Sequence, residues 1–74
     1  MFQYIMNRNF QQNGDLEIHC LGNHCPKLPA SSNMIPLGYF ENCHEAISAA
    51  KIRWSQYEAN IDGCYHCCRP CHTH

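Results

Sequence analysis

The sequence contains no valine and only four leucines, so this 74-residue chain has few of the aliphatic side chains that fill a protein core. A chain of this length buries little apolar surface and is usually marginal without a disulfide framework or a metal ion. We therefore expect one domain, residues 1–74, that depends on such a staple.

Charged residues are also scarce, at 15% of the sequence, and five Lys and Arg against six Asp and Glu give a formal net charge of −1. Nucleic-acid-binding domains usually carry a basic face. Lys51, Arg53 and Arg69 are the candidates for such a face, but a solvated surface is the simpler interpretation. Nucleic-acid binding therefore stays an alternative that the composition does not favour.

Long apolar runs are absent as well. No run of about 18 apolar residues exists, so the sequence predicts no membrane span. Residues 1–8 lack the basic start and long apolar segment of a signal peptide. We therefore expect a cytoplasmic protein.

Motifs of catalysis are few. The sequence has no glycine-rich phosphate loop and no His-Glu-x-x-His helix. Cys64-Tyr65-His66-Cys67 is similar to a redox C-x-x-C motif, but such motifs belong to larger βαβ folds. The motifs favour a protein that is not an enzyme.

Cysteine and histidine, in contrast, are abundant, with seven and six copies. An odd number of cysteines excludes a fully disulfide-paired monomer, and in a cytosolic chain this composition favours metal binding. Near the C-terminus two C-x2-C pairs can each supply half of a tetrahedral zinc site. A second set of donors lies in residues 19–25. From spacing alone the candidates are His19, Cys20, His24, Cys25, Cys64, Cys67, Cys68 and Cys71.

The predicted elements are short strands and one helix. Alternation over residues 16–20, and an apolar run over 2–6, predict two antiparallel strands joined through the turn signal Asn13-Gly14-Asp15. Residues 22–36 read as loop and 37–40 as an edge strand. Asn42 as N-cap, with Glu45 three residues later, predicts a helix over 43–53. Cys43 then lies on its apolar face, where we expect a buried thiol that is not a ligand.

The fold class that follows is a small α+β zinc-stabilised domain. It has short antiparallel strands, one main helix and a C-terminal zinc knuckle, meaning a short turn that carries two metal ligands.

The order of these features resembles the small bacterial proteins of the Ada metal-binding-domain-like superfamily, and so the zinc domain of the Ada DNA-repair protein. The resemblance covers nearly the whole chain, and its specific part is two zinc knuckles separated by an extended segment and one helix. Its residues are Tyr4-Ile5, Asn7, Asn9, Ile18-His19, Leu21-Gly22, Cys25, Leu28-Pro29, Asn33, Leu37-Gly38, Phe40, Cys43, Glu45-Ala46, Asp62-Gly63-Cys64 and Cys67.

The resemblance implies one Zn²⁺ held by His19, Cys25, Cys64 and Cys67. It leaves Cys68 and Cys71 as spare thiols. The chain departs from the family in its first knuckle, where two extra residues separate the ligands, so that Cys20 or His24 could replace His19.

In Ada the first ligand is a cysteine that accepts a methyl group from a DNA phosphotriester. Here His19 stands at that position, and a zinc-bound imidazole lacks the nucleophilic lone pair of a thiolate. The expected function is therefore a structural zinc-binding module that contacts an unknown protein partner without catalysis. Nucleic-acid binding or repair is the alternative, with methyl transfer the least favoured form.

Overall fold

Four strands form one mixed sheet in the order β3-β1-β2-β4. The computed structural model describes residues 1–73. The strands are β1 (Phe2–Asn7), β2 (Leu16–Cys20), β3 (Met34–Phe40) and β4 (Ile61–Gly63), and the main helix α1 (Cys43–Arg53) lies between β3 and β4 in the chain. Within residues 1–73, no helix is long and apolar enough to cross a membrane.

The predicted pair of N-terminal strands is confirmed. β1 and β2 run antiparallel, with Ile5 opposite His19. Their connection turns at Gly14, whose φ of +88° lies in the region that glycine tolerates best. The side chain of Asn13 accepts a hydrogen bond from the Asp15 N–H at 3.0 Å, which is the local bond that favours asparagine in turns.

The prediction of antiparallel strands throughout is wrong for β4. Ile61–Gly63, a segment for which the sequence predicted no strand, forms a short strand parallel to β2, with Leu16 opposite Ile61 and Ile18 opposite Gly63. A parallel pair needs a long crossover connection, and here β3 and α1 supply it.

β3 begins earlier than expected and includes Pro36, within the segment predicted as loop. It pairs antiparallel with β1 and lies at the sheet edge, where a residue without an N–H is tolerated. The register shifts between Tyr4 and Ile5, opposite Gly38, whose φ is +109°. Short 3-10 turns at Leu21–Asn23 and Ser31–Asn33 interrupt the rest of the predicted loop.

α1 begins and ends as predicted. The Oδ1 of Asn42 accepts a hydrogen bond from the Glu45 N–H at 3.0 Å, and the Glu45 carboxylate accepts one from the Glu41 N–H at 3.1 Å. The helix stops at Arg53 because Trp54 has non-helical dihedral angles, and a 3-10 segment follows over Ser55–Asn60. Ala46 and Ala50 are fully buried, and such small side chains let α1 pack closely on the sheet.

The core is unusually rich in sulfur, and one cysteine pair corrects the expectation for Cys43. That residue is buried but forms a disulfide with Cys71, so neither is a free thiol. The sequence could not pair them because helix and tail meet only in the folded chain. The free cysteines are Cys20, Cys25, Cys64, Cys67 and Cys68.

Candidate metal centre

Four donor side chains from two distant stretches of the chain meet in the interior. They are His19, Cys25, Cys64 and Cys67, and their donor atoms all lie within 4.8 Å of one another. Each side chain is buried, with at most 8% of the residue exposed. These are the four residues that the resemblance singled out.

The spacing of the donors suits a small tetrahedral ion. The Nδ1 of His19 lies 3.6 Å from the Sγ of Cys25 and 3.6 Å from the Sγ of Cys67, and the sulfurs of Cys25 and Cys64 are 3.6 Å apart. Around an ion with metal–sulfur bonds of about 2.3 Å and a metal–nitrogen bond of about 2.0 Å, tetrahedral geometry gives nitrogen–sulfur distances of about 3.5 Å and sulfur–sulfur distances of about 3.8 Å. The cluster fits a metal ion.

The parallel pairing of β2 and β4 brings the two stretches together. Parallel strands end at the same edge of a sheet. His19 is the penultimate residue of β2, and Cys64 directly follows β4, so the two residues lie at that shared edge. The N–H of Cys64 donates to the carbonyl of Ile18 at 2.9 Å, which extends the pairing by one residue into the site.

The first knuckle accommodates its wide ligand spacing through a 3-10 turn. After His19 the chain turns over Leu21–Asn23, and His24 adopts a left-handed conformation with φ of 48° before Cys25. The side-chain amide of Asn23 donates to the carbonyl of Cys67 at 2.9 Å. The longer spacing thus supplies a hydrogen bond between the two knuckles.

Backbone N–H groups point at all three sulfurs. Lys27 donates to the Sγ of Cys25 at 3.4 Å, His66 to Cys64 at 3.4 Å, and Cys20 to Cys67 at 3.3 Å. Hydrogen bonds to the charged form of a group favour that form. The backbone is therefore arranged to support three thiolates.

Without a bound cation, these three thiols nevertheless resist ionisation. Burial raises the pKa of Cys64 to about 12 and also raises the pKa of Cys25. A hydrogen bond with Cys68, together with burial, raises the pKa of Cys67. A bound cation supplies the missing positive charge, so metal binding would release protons from these thiols.

His19 is held in the form that ligates metals. Burial lowers the pKa of its imidazole to about 4, so the ring is neutral at physiological pH. Its Nδ1 faces the cluster, and its Nε2 lies 3.4 Å from a carboxylate oxygen of Glu17. Within residues 1–73 this buried Nε2 has no hydrogen-bond partner of good geometry, and the Glu17 carboxylate interacts with it through its charge.

The alternative ligands from the sequence lie outside the cluster. Cys20 follows the β2 alternation to the opposite face, against Tyr4. His24 is exposed, and Cys68 is a buried free thiol. The expectation that Cys71 is a spare thiol is wrong, because it is bonded to Cys43. His74 lies outside the described residues.

Two residues near the site were missed in the sequence. Glu17 lies two positions before His19, and alternation along a strand puts both side chains on one face, so the pattern contained this information. Asn23 had no comparable sequence pattern, because its bond to Cys67 spans 44 residues.

Chemically, the centre offers three sulfurs and one nitrogen in an enclosed interior position. Four protein donors complete a tetrahedron and leave no vacancy for water or substrate, as in structural metal sites. Searches with protein-family models, the curated proteins and the solved structures find no match to this chain.

Proposed function

We propose that this protein is a zinc-stabilised binding module, in which one Zn²⁺ held by His19, Cys25, Cys64 and Cys67 organises the fold. The observation that carries the proposal is the enclosed group of four donors with tetrahedral spacing. Three thiolates and one imidazole form a donor set typical of structural zinc. Sulfur and nitrogen donors select zinc over Mg²⁺ or Ca²⁺, which prefer oxygen.

The role we propose is interaction with a protein partner, without catalysis at the zinc. Four protein ligands exclude water from the ion, and catalytic zinc sites keep one position open. The nitrogen at the first ligand position supports the same role, because the zinc-bound thiolate needed for methyl transfer is replaced by an imidazole. Within this proposal the chain is an Ada-like module that has kept the metal and lost the nucleophile.

Native mass spectrometry with metal analysis tests the site. The disulfide-bonded protein should carry one zinc ion, and His19→Ala should lose it. His24→Ala is the matched control, because His24 belongs to the same turn but is exposed and outside the cluster. If His19→Ala bound zinc with the same affinity as the unsubstituted protein, the proposed ligand set would be refuted.

Substitution with Co²⁺ tests whether the ion is enclosed. The disulfide-bonded protein with one Co²⁺ should show the strong visible absorption of a tetrahedral site, unchanged by added azide. A spectrum that shifts with azide would reveal an open position, and the non-catalytic role would then be wrong.

A further inference from the structure

A second group of metal-binding side chains lies away from the first. Donor atoms of Cys43, His44 and Cys71 fall within 4.8 Å of one another. Both cysteines are buried, while His44 is exposed. The cysteines are joined as a disulfide, so their sulfurs are not ligands in this form.

We propose that the Cys43–Cys71 disulfide is the oxidised form of a second metal site, which binds a divalent zinc-like ion through both thiolates and His44 after reduction. A dithiol reductant breaks the sulfur–sulfur bond, becomes a disulfide itself and leaves two cysteine thiols. The incoming ion then displaces both thiol protons to solvent. The disulfide and the second ion exclude each other, because each uses the same two sulfurs.

The backbone suits both forms. The Cα atoms of Cys43 and Cys71 are 6.3 Å apart. Side-chain rotation alone can then separate the sulfurs to the distance of about 3.8 Å that two thiolates have on one tetrahedral ion. Cys43 and His44 are the first residues of α1, and the positive end of a helix dipole favours a thiolate there. His44 is exposed and free to turn toward the ion.

The second site would have an open coordination position. His44 and Cys71 line a half-open cavity of about 290 Å³, whose other walls include Ser48, Lys51 and Thr73. Three protein ligands and one vacancy form the pattern of catalytic zinc sites, in contrast to the closed first site. The lysine amine on the wall favours a small anion, so we assign water or a small anion as the fourth ligand.

Asp62 also lines the cavity, but its carboxylate is already engaged. It accepts hydrogen bonds from the N–H and the hydroxyl of Thr73 at 2.9 and 3.0 Å, and lies 3.3 Å from the Nδ1 of His72. These contacts fix the tail beside the cavity, whose lining includes Lys51 as well as Asp62.

The test compares metal content in two redox states of the same protein. Native mass spectrometry at micromolar Zn²⁺ should find one ion in the disulfide-bonded protein and two after reduction. Binding of the second ion should release two protons. One ion in both states would overturn the second site and leave the first site intact, so the two proposals fail separately.

Variants identify the ligands. His44→Ala should still form the disulfide and bind the first ion, but bind the second at least about tenfold more weakly, since even outer partners of a metal are worth about 10–100-fold. Cys43→Ser cannot form the disulfide and should bind one ion with or without reductant. Reduced wild-type protein is the matched control, because it lacks the disulfide but keeps both thiols. Two ions in reduced Cys43→Ser would place the second ion on other thiols and refute the assignment.

Co²⁺ spectroscopy tests whether the second site has an open coordination position. The second equivalent bound to reduced protein should add charge-transfer absorption for two thiolates, against three for the first, and should shift with azide. A second equivalent that is insensitive to azide would contradict the open site.

Discussion

The Nδ1 of His19 lies 3.6 Å from the Sγ of Cys67, although 48 residues separate them in the chain. One donor comes from the end of a central strand and the other from a tail turn, so the contact joins the first and last thirds of the protein. A metal ion at this point would bind the two ends of the fold to each other.

Removal of the metal should unfold the protein under reducing conditions. Structural zinc contributes about 10 kcal/mol or more in zinc-finger peptides, and the small core here offers little to replace it. Circular dichroism and amide dispersion by NMR, before and after exhaustive chelation, measure the change. Native spectra after metal loss would show that the sulfur-rich core is sufficient.

The Cys43–Cys71 disulfide should reduce the loss of structure that follows metal removal. A loop of 28 residues closed by a disulfide stabilises a protein by about 3–4 kcal/mol in the chain-entropy description. Chelated protein with the Cys43–Cys71 bond intact should therefore retain more structure than reduced protein.

Glu17→Gln should weaken metal binding about tenfold, toward the lower end of the 10–100-fold range for outer partners of a metal-bound histidine. The negative charge of the carboxylate oxygen, 3.4 Å from the Nε2 of His19, makes the Nδ1 of that imidazole a better metal ligand, and a neutral amide lacks this charge. Competition with a chromophoric chelator measures the affinity. Glu58→Gln, on an exposed residue, is the control, and equal affinity in both variants would assign Glu17 no role at the metal.

Acid should release the metal steeply. The bound form contains three thiolates, so protons compete with the ion. Between the ordinary pKa values of about 6.5 for histidine and about 8.5 for cysteine in the unfolded chain, each unit of pH lost should weaken binding by about 10³-fold. A titration of metal affinity against pH gives the slope, and a slope near one proton would mean that a single thiolate binds.

The metal-free fold should show the opposite dependence on pH. Burial raises the pKa of Cys64 to about 12, so the folded state holds this proton more tightly than the unfolded chain does. Its contribution to stability is complete below about pH 8.5 and is lost as pH rises toward the folded value. Denaturant melts of disulfide-bonded, metal-free protein from pH 7 to 10 would measure the free energy of unfolding. Rising stability over that range would contradict the expectation.

Asn23→Ala should destabilise the metal-loaded protein by about 1 kcal/mol, because it removes the 2.9 Å hydrogen bond from the side chain to the Cys67 carbonyl. For a domain of this size that corresponds to a fall in Tm of about 4–8 °C. Gln12→Ala, on the exposed β1–β2 connection, is the matched control and should leave Tm unchanged. Equal melting of both variants would show that the knuckles need no bond beyond the metal.

The sequence predicted those parts of the fold that local chemistry determines. Asn42 and Glu45 locate the start of α1, and the turn at Gly14 joins β1 to β2. β4 was not predicted because three residues are too few to show the apolar–polar alternation of a strand. Its pairing partner also lies more than 40 residues away in the chain. The disulfide escaped for a similar reason, since only the packing of the tail against α1 brings Cys71 to Cys43.

For the candidate site, residue spacing left eight possible ligands, whereas the resemblance implied a set of four. Strand alternation separates His19 from Cys20 but does not say which face the second knuckle covers. The structure buries both faces of β2, with His19 toward the cluster and Cys20 toward Tyr4. Only the position of β4 beside β2 distinguishes the two residues.

The parallel pairing of β2 with β4 also fixes when the domain can form during its synthesis. β2 and the loop after it carry two of the four donors, while the partner strand β4 and the other two donors are made about 40 residues later. Until then the emerging chain carries exposed thiols and an unpaired strand edge, which are features that invite aggregation and wrong pairing. The domain can therefore complete its sheet and its group of four donors only after residues 61–67 have been made.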